Sequence, residues 1–182
     1  MTSRPAPAPA GLELVRLFVN TLDIEEGTDA LLDEEATRRW LQTHHLLSTQ
    51  DSISSVDLAY LRSVRAAIRQ ALAANHAEAV IPREALATLN AAIAAAKVSP
   101  ELDGAGYSLA SNGAGVHRIV GTLAVEIIHA MTNQTWRRLK ICLNDRCQWA
   151  FYDRSPARSG KWCSMSVCGN RTKQQVWRDR QS

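Results

Sequence analysis

The chain contains four cysteines, and their spacing is the clearest indication of chemistry in the sequence. They follow the pattern C-x4-C-x15-C-x4-C, with the sulfurs at Cys142, Cys147, Cys163 and Cys168. Two short loops that each present two sulfurs to one ion are typical of tetrahedral zinc sites with four thiolate ligands. We therefore predict a closed structural zinc site. Four unrelated buried thiols and two disulfides are the alternatives.

The sequence offers no familiar catalytic motif. The glycines between Gly104 and Gly115 lack the strand-turn-helix context of a phosphate-binding loop, and there is no nucleophile elbow or metalloprotease helix. Four thiolates would also fill the coordination shell, in which a catalytic zinc keeps one position open. We therefore expect a protein that is not an enzyme.

Charge and composition divide the chain near Trp136. Residues 1–136 carry 10 Lys or Arg against 15 Asp or Glu, a net charge of −5, whereas residues 137–182 carry 11 against 3, a net charge of +8. All four cysteines lie in the basic part. We predict one domain over residues 11–135 and a small zinc module over residues 136–182.

The N-terminal residues and the hydropathy of the chain predict its cellular location. No apolar run approaches the roughly 18 residues that a membrane-spanning helix needs, so we expect no membrane segment. The opening MTSRPAPAPA lacks the apolar stretch of a secretion signal and predicts a disordered Pro/Ala tail over residues 1–10. We accordingly expect a cytoplasmic location, where thiols stay reduced.

Hydrophobic spacing predicts that the fold is mainly α, with a helical N-terminal domain. Asp33 and Ser54 or Ser55 are expected N-caps, and Pro82 suits a first helical turn. A cluster of glycines over residues 104–115 predicts turns around a small β-hairpin near residues 107–110. The predicted helices cover residues 12–22, the segment after Asp33 through Leu41, the segment from Ser54 or Ser55 through Leu72, residues 83–96 and residues 116–131.

The basic part predicts a compact, treble-clef-like zinc finger. Residues 149–152 are expected to form a strand, residues 155–160 its turn, and residues 161–162 the returning strand. Residues 171–180 contain no helix breaker and predict a terminal helix. Such a helix would direct the positive end of its dipole at the thiolates.

These residues resemble a known family. The run WCSMSVCGNRTK over residues 162–173, preceded by FYDRS at 151–155, is similar to the CGNR zinc finger, named for Cys168, Gly169, Asn170 and Arg171. Upstream, LFVNTLD at residues 17–23 resembles the opening of the helical ABATE domain, which usually precedes this finger in bacterial stress-response transcription regulators. The resemblance implies a zinc-dependent DNA-binding module joined to a sensing domain. Gly160 and Lys161 stand where members often carry consecutive arginines, which weakens a phosphate contact at that turn.

The terminal helix predicts the DNA contacts. At about 100° per residue, Arg171, Gln174, Gln175 and Arg178 share one face, and Arg and Gln are side chains that pair with guanine and adenine edges in the major groove. Other cations of the module can contact phosphates. The alternative is an adaptor whose finger docks a protein. The predicted phosphate contacts come from Arg137, Arg138, Lys140, Arg146, Arg154, Arg158 and Lys161, and Lys173 is a further predicted DNA contact.

The helical domain carries one weaker candidate site. Asn20, Thr21 and Asp23 follow an apolar helix and can line a ligand pocket together with Arg65 or Arg69, although such residues more often form a helix C-cap and turn. We expect this domain to bind a small-molecule or protein effector, or to form a homodimer.

Overall fold

The structure, a computed structural model, describes residues 5–9, 11–102, 104 and 106–179. In these residues the fold is mainly helical, as predicted. The N-terminal part contains helices α1 (Leu12–Val19), α2 (Glu34–Thr43), α3 (Ser55–Ala77), α4 (Arg83–Ala95) and α5 (Val116–Thr132).

Local capping explains where these helices begin. The Asp33 side chain accepts a hydrogen bond from the backbone N–H of Ala36 at the start of α2. At the start of α3, Ser54 and Asp57 form a reciprocal capping box. The predicted caps at Asp33 and Ser54 are thereby confirmed. The first helix ends at Val19 rather than at residue 22, because Asn20 takes the C-cap position.

Three antiparallel two-stranded ladders complete the described structure. The pair β3 (Val98–Leu102) and β4 (Tyr107–Ser111) confirms the predicted hairpin. The pair β1 (Leu22–Asp23) and β2 (Thr28–Asp29) was not predicted, because two residues on each side are too few to create an alternating pattern. The third ladder joins β5 (Leu139–Ile141) to β6 (Ala150–Tyr152).

The third ladder corrects one prediction about the finger. We expected the strand at residues 149–152 to pair with residues 161–162, but β6 pairs with β5, so the hairpin encloses the first cysteine pair instead of joining the two pairs. Residues 161–162 form no strand. The finger ends in a π-helical turn, Met165–Gly169, followed by helix α6 (Asn170–Asp179), close to the predicted terminal helix.

Part of the finger packs into the hydrophobic core of the helical part, while Phe151 and the cysteines form a second, smaller cluster. Leu139 and Ala150 are fully buried and belong to the same apolar cluster as Phe18 of α1 and Leu72 of α3. The change in composition near Trp136 therefore does not correspond to a break in packing, since Trp136 itself lies in this cluster. The finger depends on α1 and α3 for part of its core.

The N-terminal segment also departs from the expectation of a disordered tail. Ala8 is 6% exposed and packs in the core cluster, and its N–H donates to the Glu13 carboxylate at 2.6 Å. The Pro7 carbonyl accepts a hydrogen bond from Arg154 of the finger at 2.7 Å. The expectation is therefore wrong for Pro7 and Ala8. Residues 1–4 and 10 lie outside the described residues.

Candidate metal centre and nucleic-acid interface

The four cysteine sulfurs converge on one point. The Sγ atoms of Cys142, Cys147, Cys163 and Cys168 all lie within 4.8 Å of one another, and Cys163 Sγ lies 3.6 Å from both Cys147 Sγ and Cys168 Sγ. Sulfurs at the corners of a tetrahedron with metal–sulfur bonds of about 2.3 Å are about 3.8 Å apart, whereas a disulfide brings them to about 2.05 Å. All four cysteines are free. The donor set therefore fits a tetrahedral metal ion, and the two-disulfide alternative is wrong for this structure.

The first cysteine pair sits on a tight loop between β5 and β6. The Cys142 N–H donates to the Trp149 carbonyl at 3.0 Å, and the Cys147 N–H donates to the Asn144 carbonyl at 2.8 Å. The backbone N–H of Asn144 also points at the Cys142 sulfur, and that of Trp149 at the Cys147 sulfur. These amides stabilise negative charge on both sulfurs.

The cluster cannot hold four negative charges without a cation. Hydrogen bonds from the thiols of Cys147 and Cys163 lower the pKa of Cys142. The same contacts with Cys142 raise the pKa of Cys147 and of Cys163, and burial raises that of Cys168. The Cys142 thiolate is thus stabilised by hydrogen bonds from neighbouring cysteines that keep their protons. Ionisation of the other three requires a positive charge at the centre.

The second cysteine pair leads directly into α6, and each residue of the Cys-Gly-Asn-Arg run has a distinct role. Cys168 contributes a sulfur. Gly169 lies where a Cβ would approach the Trp162 ring to 3.1 Å and the Met165 sulfur to 2.5 Å, so a larger residue would disturb the packing beside the cluster. The Asn170 side chain donates to the Ser166 carbonyl at 3.1 Å and stabilises the π-helical turn. Arg171 begins the exposed surface of α6.

A buried ion pair shapes the loop between the cysteine pairs. Lys140 Nζ lies 2.9 Å from the Asp153 carboxylate, and the side chains are 6% and 3% exposed. Lys140 also donates to the Arg158 carbonyl. Asp153 further accepts the backbone N–H groups of Ser155 and Gly160 at 2.9 and 2.8 Å. The prediction that Lys140 contacts phosphate is therefore wrong, because its ammonium group is buried and fixes this loop.

The predicted DNA face of α6 is exposed. Arg171, Gln174, Gln175 and Arg178 are all accessible to solvent. Together with residues 143–146 of the cysteine loop, including Arg146, they line a groove whose opposite wall is formed by Ile24 and Glu25 of the helical domain. Across this groove the Arg171 guanidinium forms an ion pair with the Glu25 carboxylate. The α6 face is thus in contact with the helical domain.

The other predicted phosphate contacts are spread over the finger. Lys173 and Lys161 are exposed. Arg154 is exposed as well, bonds the Pro7 carbonyl and stacks 5.8 Å from the centre of the Tyr152 ring. Arg137 and Arg158 lie at a different cleft from the α6 groove, and the Arg138 guanidinium donates to the carbonyls of Asp153 and Ser155. The structure therefore brings together the α6 side chains and Arg146, but it does not gather all the predicted cations on one face.

The residues predicted to line a ligand pocket instead join parts of the chain. The Asn20 amide forms two hydrogen bonds with the backbone of Ala150 in β6, at 2.9 and 2.7 Å. Thr21 donates to the Phe18 carbonyl and accepts from Arg65, which also forms an ion pair with Asp29 at 2.5 Å. The alternative of a C-cap and turn is confirmed for Asn20 and Thr21.

Asp23 was also expected to line the pocket. It stabilises the β1–β2 turn instead, because its carboxylate accepts the Glu26 N–H at 3.0 Å. Since these polar groups are used inside the chain, the expected pocket is not formed by these residues.

Sequence reasoning missed the structural role of Arg69. Its guanidinium donates to the Gln148 carbonyl in the cysteine loop at 2.9 Å and to the carbonyls of Val19 and Leu22 at 3.0 and 3.1 Å. Arg69 therefore ties α3 both to the metal loop and to the β1–β2 region. Its position among the apolar residues of α3 was the one indication in the sequence that Arg69 has a structural role. A sequence pattern does not reveal partners so distant along the chain.

The described helices include none with the length and apolar character required to cross a lipid bilayer.

Comparison with protein-family models gives two adjoining matches. Residues 12–134 match the ABATE family, which carries the description "Putative stress-induced transcription regulator", and residues 138–181 match the CGNR zinc finger. The first match alone covers more than half of the chain. A search of curated proteins finds no match. Both families and their order agree with the resemblance found in the sequence.

Proposed function

Because the chain belongs to the ABATE family of "putative stress-induced transcription regulators" and ends in a CGNR zinc finger, we propose that it is a non-catalytic, zinc-dependent DNA-binding regulator. In this proposal the finger contacts duplex DNA through α6. The helical domain receives the signal. The observation that carries the proposal is the exposed row of Arg and Gln side chains on a helix that starts at the cysteine cluster.

Zinc is the proposed ion. Four thiolates form a soft ligand set that favours zinc over hard cations such as magnesium or calcium. The ion would be held by Cys142, Cys147, Cys163 and Cys168, and it would supply the positive charge that lets all four sulfurs ionise. Because α6 follows Cys168 directly, a metal-bound Cys168 would fix the start of that helix. We expect metal analysis of the purified chain to give one zinc ion per chain.

The chemistry of α6 supports DNA as the partner. Arg and Gln side chains make bidentate contacts with base edges, and one exposed helix fits the major groove. Arg146 lies in the same groove as Arg171 and adds a cation for the phosphate backbone. The net charge of +8 over residues 137–182 exceeds the formal −2 of a zinc tetrathiolate centre. A large part of this positive charge is therefore available to attract a polyanion.

Salt-dependent binding tests the proposal. We would measure fluorescence anisotropy of a labelled mixed-sequence duplex over a range of salt concentrations, using the zinc-loaded chain and an Arg171→Ala/Arg178→Ala variant. Each phosphate contact contributes about one unit to the slope of log K against log salt. The double variant should bind more weakly than the parent, with a slope lower by up to about two units.

The matched control is an Arg39→Ala/Arg83→Ala variant. It removes the same charge from exposed sites on α2 and α4 of the helical domain. If both double variants bind DNA as the parent does, α6 is not the interface. If the zinc-loaded parent itself shows no affinity that falls with salt, DNA is not the partner, and the alternative of a protein-docking finger would take its place.

The effector and the homodimer stay predictions. The most suitable place for a small-molecule effector is a cleft of about 840 Å³ between the end of α3, the start of α4 and the finger. Its walls combine exposed apolar side chains, Val80, Leu86 and Met131, with the cations Arg137 and Arg158. An apolar carboxylate suits this composition. Light scattering of the purified chain would decide the oligomeric state.

A further inference from the structure

The β1–β2 turn of the helical domain stands directly over the proposed DNA face. Residues 22–29 contain four acidic residues and no Lys or Arg. Two members of this segment, Ile24 and Glu25, form one wall of the α6 groove, whose volume is about 920 Å³. The facing wall carries three cations, Arg146, Arg171 and Arg178, and one acidic residue, Asp145. An acidic turn and a basic helix therefore meet across one groove.

One contact connects the two walls. The Glu25 carboxylate forms an ion pair with the Arg171 guanidinium, although the two residues lie 146 positions apart in the sequence. Both side chains keep partial access to solvent, at 35% and 49% exposure. A phosphate that approaches Arg171 would compete with this carboxylate, because carboxylates and phosphates bind the N–H donors of a guanidinium in the same way.

The turn is held at both ends by α3. Arg69 donates to the carbonyl of Leu22 in β1 at 3.1 Å, and Arg65 forms its ion pair with Asp29 in β2 at 2.5 Å. Arg65 and Arg69 lie one helical turn apart on the same face of α3, so one arginine bonds each of the two paired strands. Within the turn, Asp23 accepts the Glu26 N–H. These contacts fix the turn and leave Glu25 to face Arg171.

We propose that the β1–β2 turn is an acidic latch in which Glu25 occupies Arg171 and so competes with the DNA backbone for the finger. The latch rests on the proposed function and describes the regulation of that same site. A signal that shifts α3 or the turn would release Arg171 and raise DNA affinity. By thermodynamic linkage, DNA would in turn weaken the contact of the turn with α6.

The test compares two isosteric substitutions on the same turn. Glu25→Gln removes the charge that faces Arg171, and Glu26→Gln removes an equal charge from the adjacent exposed residue. Anisotropy with a labelled mixed-sequence duplex at fixed salt should show that Glu25→Gln tightens binding about two- to fivefold relative to Glu26→Gln, the range expected for loss of an exposed ion pair. In an Arg171→Ala background, the two substitutions should have equal effects.

Amide hydrogen exchange of residues 170–179 provides a readout that needs no DNA. The Glu25→Gln substitution should raise exchange in α6 above that of the Glu26→Gln variant, because the contact that holds α6 against the helical domain is lost.

The outcomes separate the latch from the proposed function. If the parent binds DNA but the two glutamine variants are equal in both affinity and exchange, the latch is overturned while DNA binding stands. If none of the variants binds DNA, both the proposed function and the latch as a competitor are overturned, even where exchange differs. A preferential gain in affinity for Glu25→Gln that disappears without Arg171 supports the latch.

Discussion

The Asn20→Ala substitution should destabilise the whole chain, because Asn20 joins the helical part to the finger. Its side-chain amide pairs with both main-chain groups of Ala150: Nδ2 donates to the carbonyl at 2.9 Å, and Oδ1 accepts the N–H at 2.7 Å. Asn20 is 8% exposed and Ala150 is fully buried. Alanine at position 20 would leave both groups of Ala150 without a partner.

The expected loss of stability follows from the two polar groups of Ala150 that are left without partners. An orphaned buried polar group costs about 1–3 kcal/mol, so two such groups cost about 2–6 kcal/mol. A water molecule that enters the vacated space would bring the loss toward the lower end of this range. For a chain of this length, each kcal/mol corresponds to a decrease in Tm of about 2–4 °C. A loss near the middle of the range, about 4 kcal/mol, would therefore lower Tm by about 8–16 °C.

Urea unfolding in zinc-containing buffer, followed by tryptophan fluorescence, measures this loss. Asn133→Ala is the matched control, because Asn133 occupies the C-cap of α5 as Asn20 occupies that of α1, but it is exposed. The control should change the free energy of unfolding by no more than about 0.5 kcal/mol. Equal losses for the two variants would refute the reasoning, because they would mean that the bonds to Ala150 do not stabilise the fold.

Three further predictions concern the finger and the helical domain. Lys140→Met should lower the free energy of unfolding, measured in urea, by about 3–5 kcal/mol, because it leaves the Asp153 carboxylate buried without its partner. Adding Asp153→Asn should recover part of this loss. An unchanged urea midpoint for Lys140→Met alone would contradict this account. Gly121→Ala should lower the free energy of unfolding, measured by thermal unfolding, by about 1–3 kcal/mol, because the new Cβ would lie 1.9 Å from the Ser111 hydroxyl. If the same loss is measured when Gly121→Ala is made in a Ser111→Gly background, this clash is not the cause. Acidification should release the metal, since protons compete for the thiolates, so zinc affinity measured with a chromogenic chelator should fall as pH falls; an affinity independent of pH would exclude thiolate ligands.

Short-range features of the fold could be predicted from the sequence. Asp33 and Ser54 precede amphipathic segments, and a cap acts within three residues, so the starts of α2 and α3 are encoded locally. The cysteine cluster was predictable because the C-x4-C spacing constrains each pair and because one ion satisfies two such pairs. The family resemblance then supplied the order of the two parts, which the family matches confirm.

Contacts between distant segments could not be predicted in this way. The turn-forming residues 155–160 suggested a hairpin, but their conformation depends on Lys140 and Asp153, a buried pair that no periodicity reveals. Asn20 looked available for a ligand because Ala150, its partner, lies 130 positions away. The ion pair of Glu25 with Arg171 is equally remote. Such polar side chains look alike in a sequence whether they bind a ligand, DNA or another part of the chain.

Native mass spectrometry of the purified chain, combined with hydrogen exchange before and after chelation, tests the central claim most directly. The account predicts one zinc ion per chain, lost with a strong chelator or in a Cys163→Ser variant, together with faster exchange over residues 139–179. A chain that carries no zinc, and whose finger exchanges equally slowly with and without chelator, would contradict the claim that one metal ion bound by four thiolates organises the proposed DNA-binding surface.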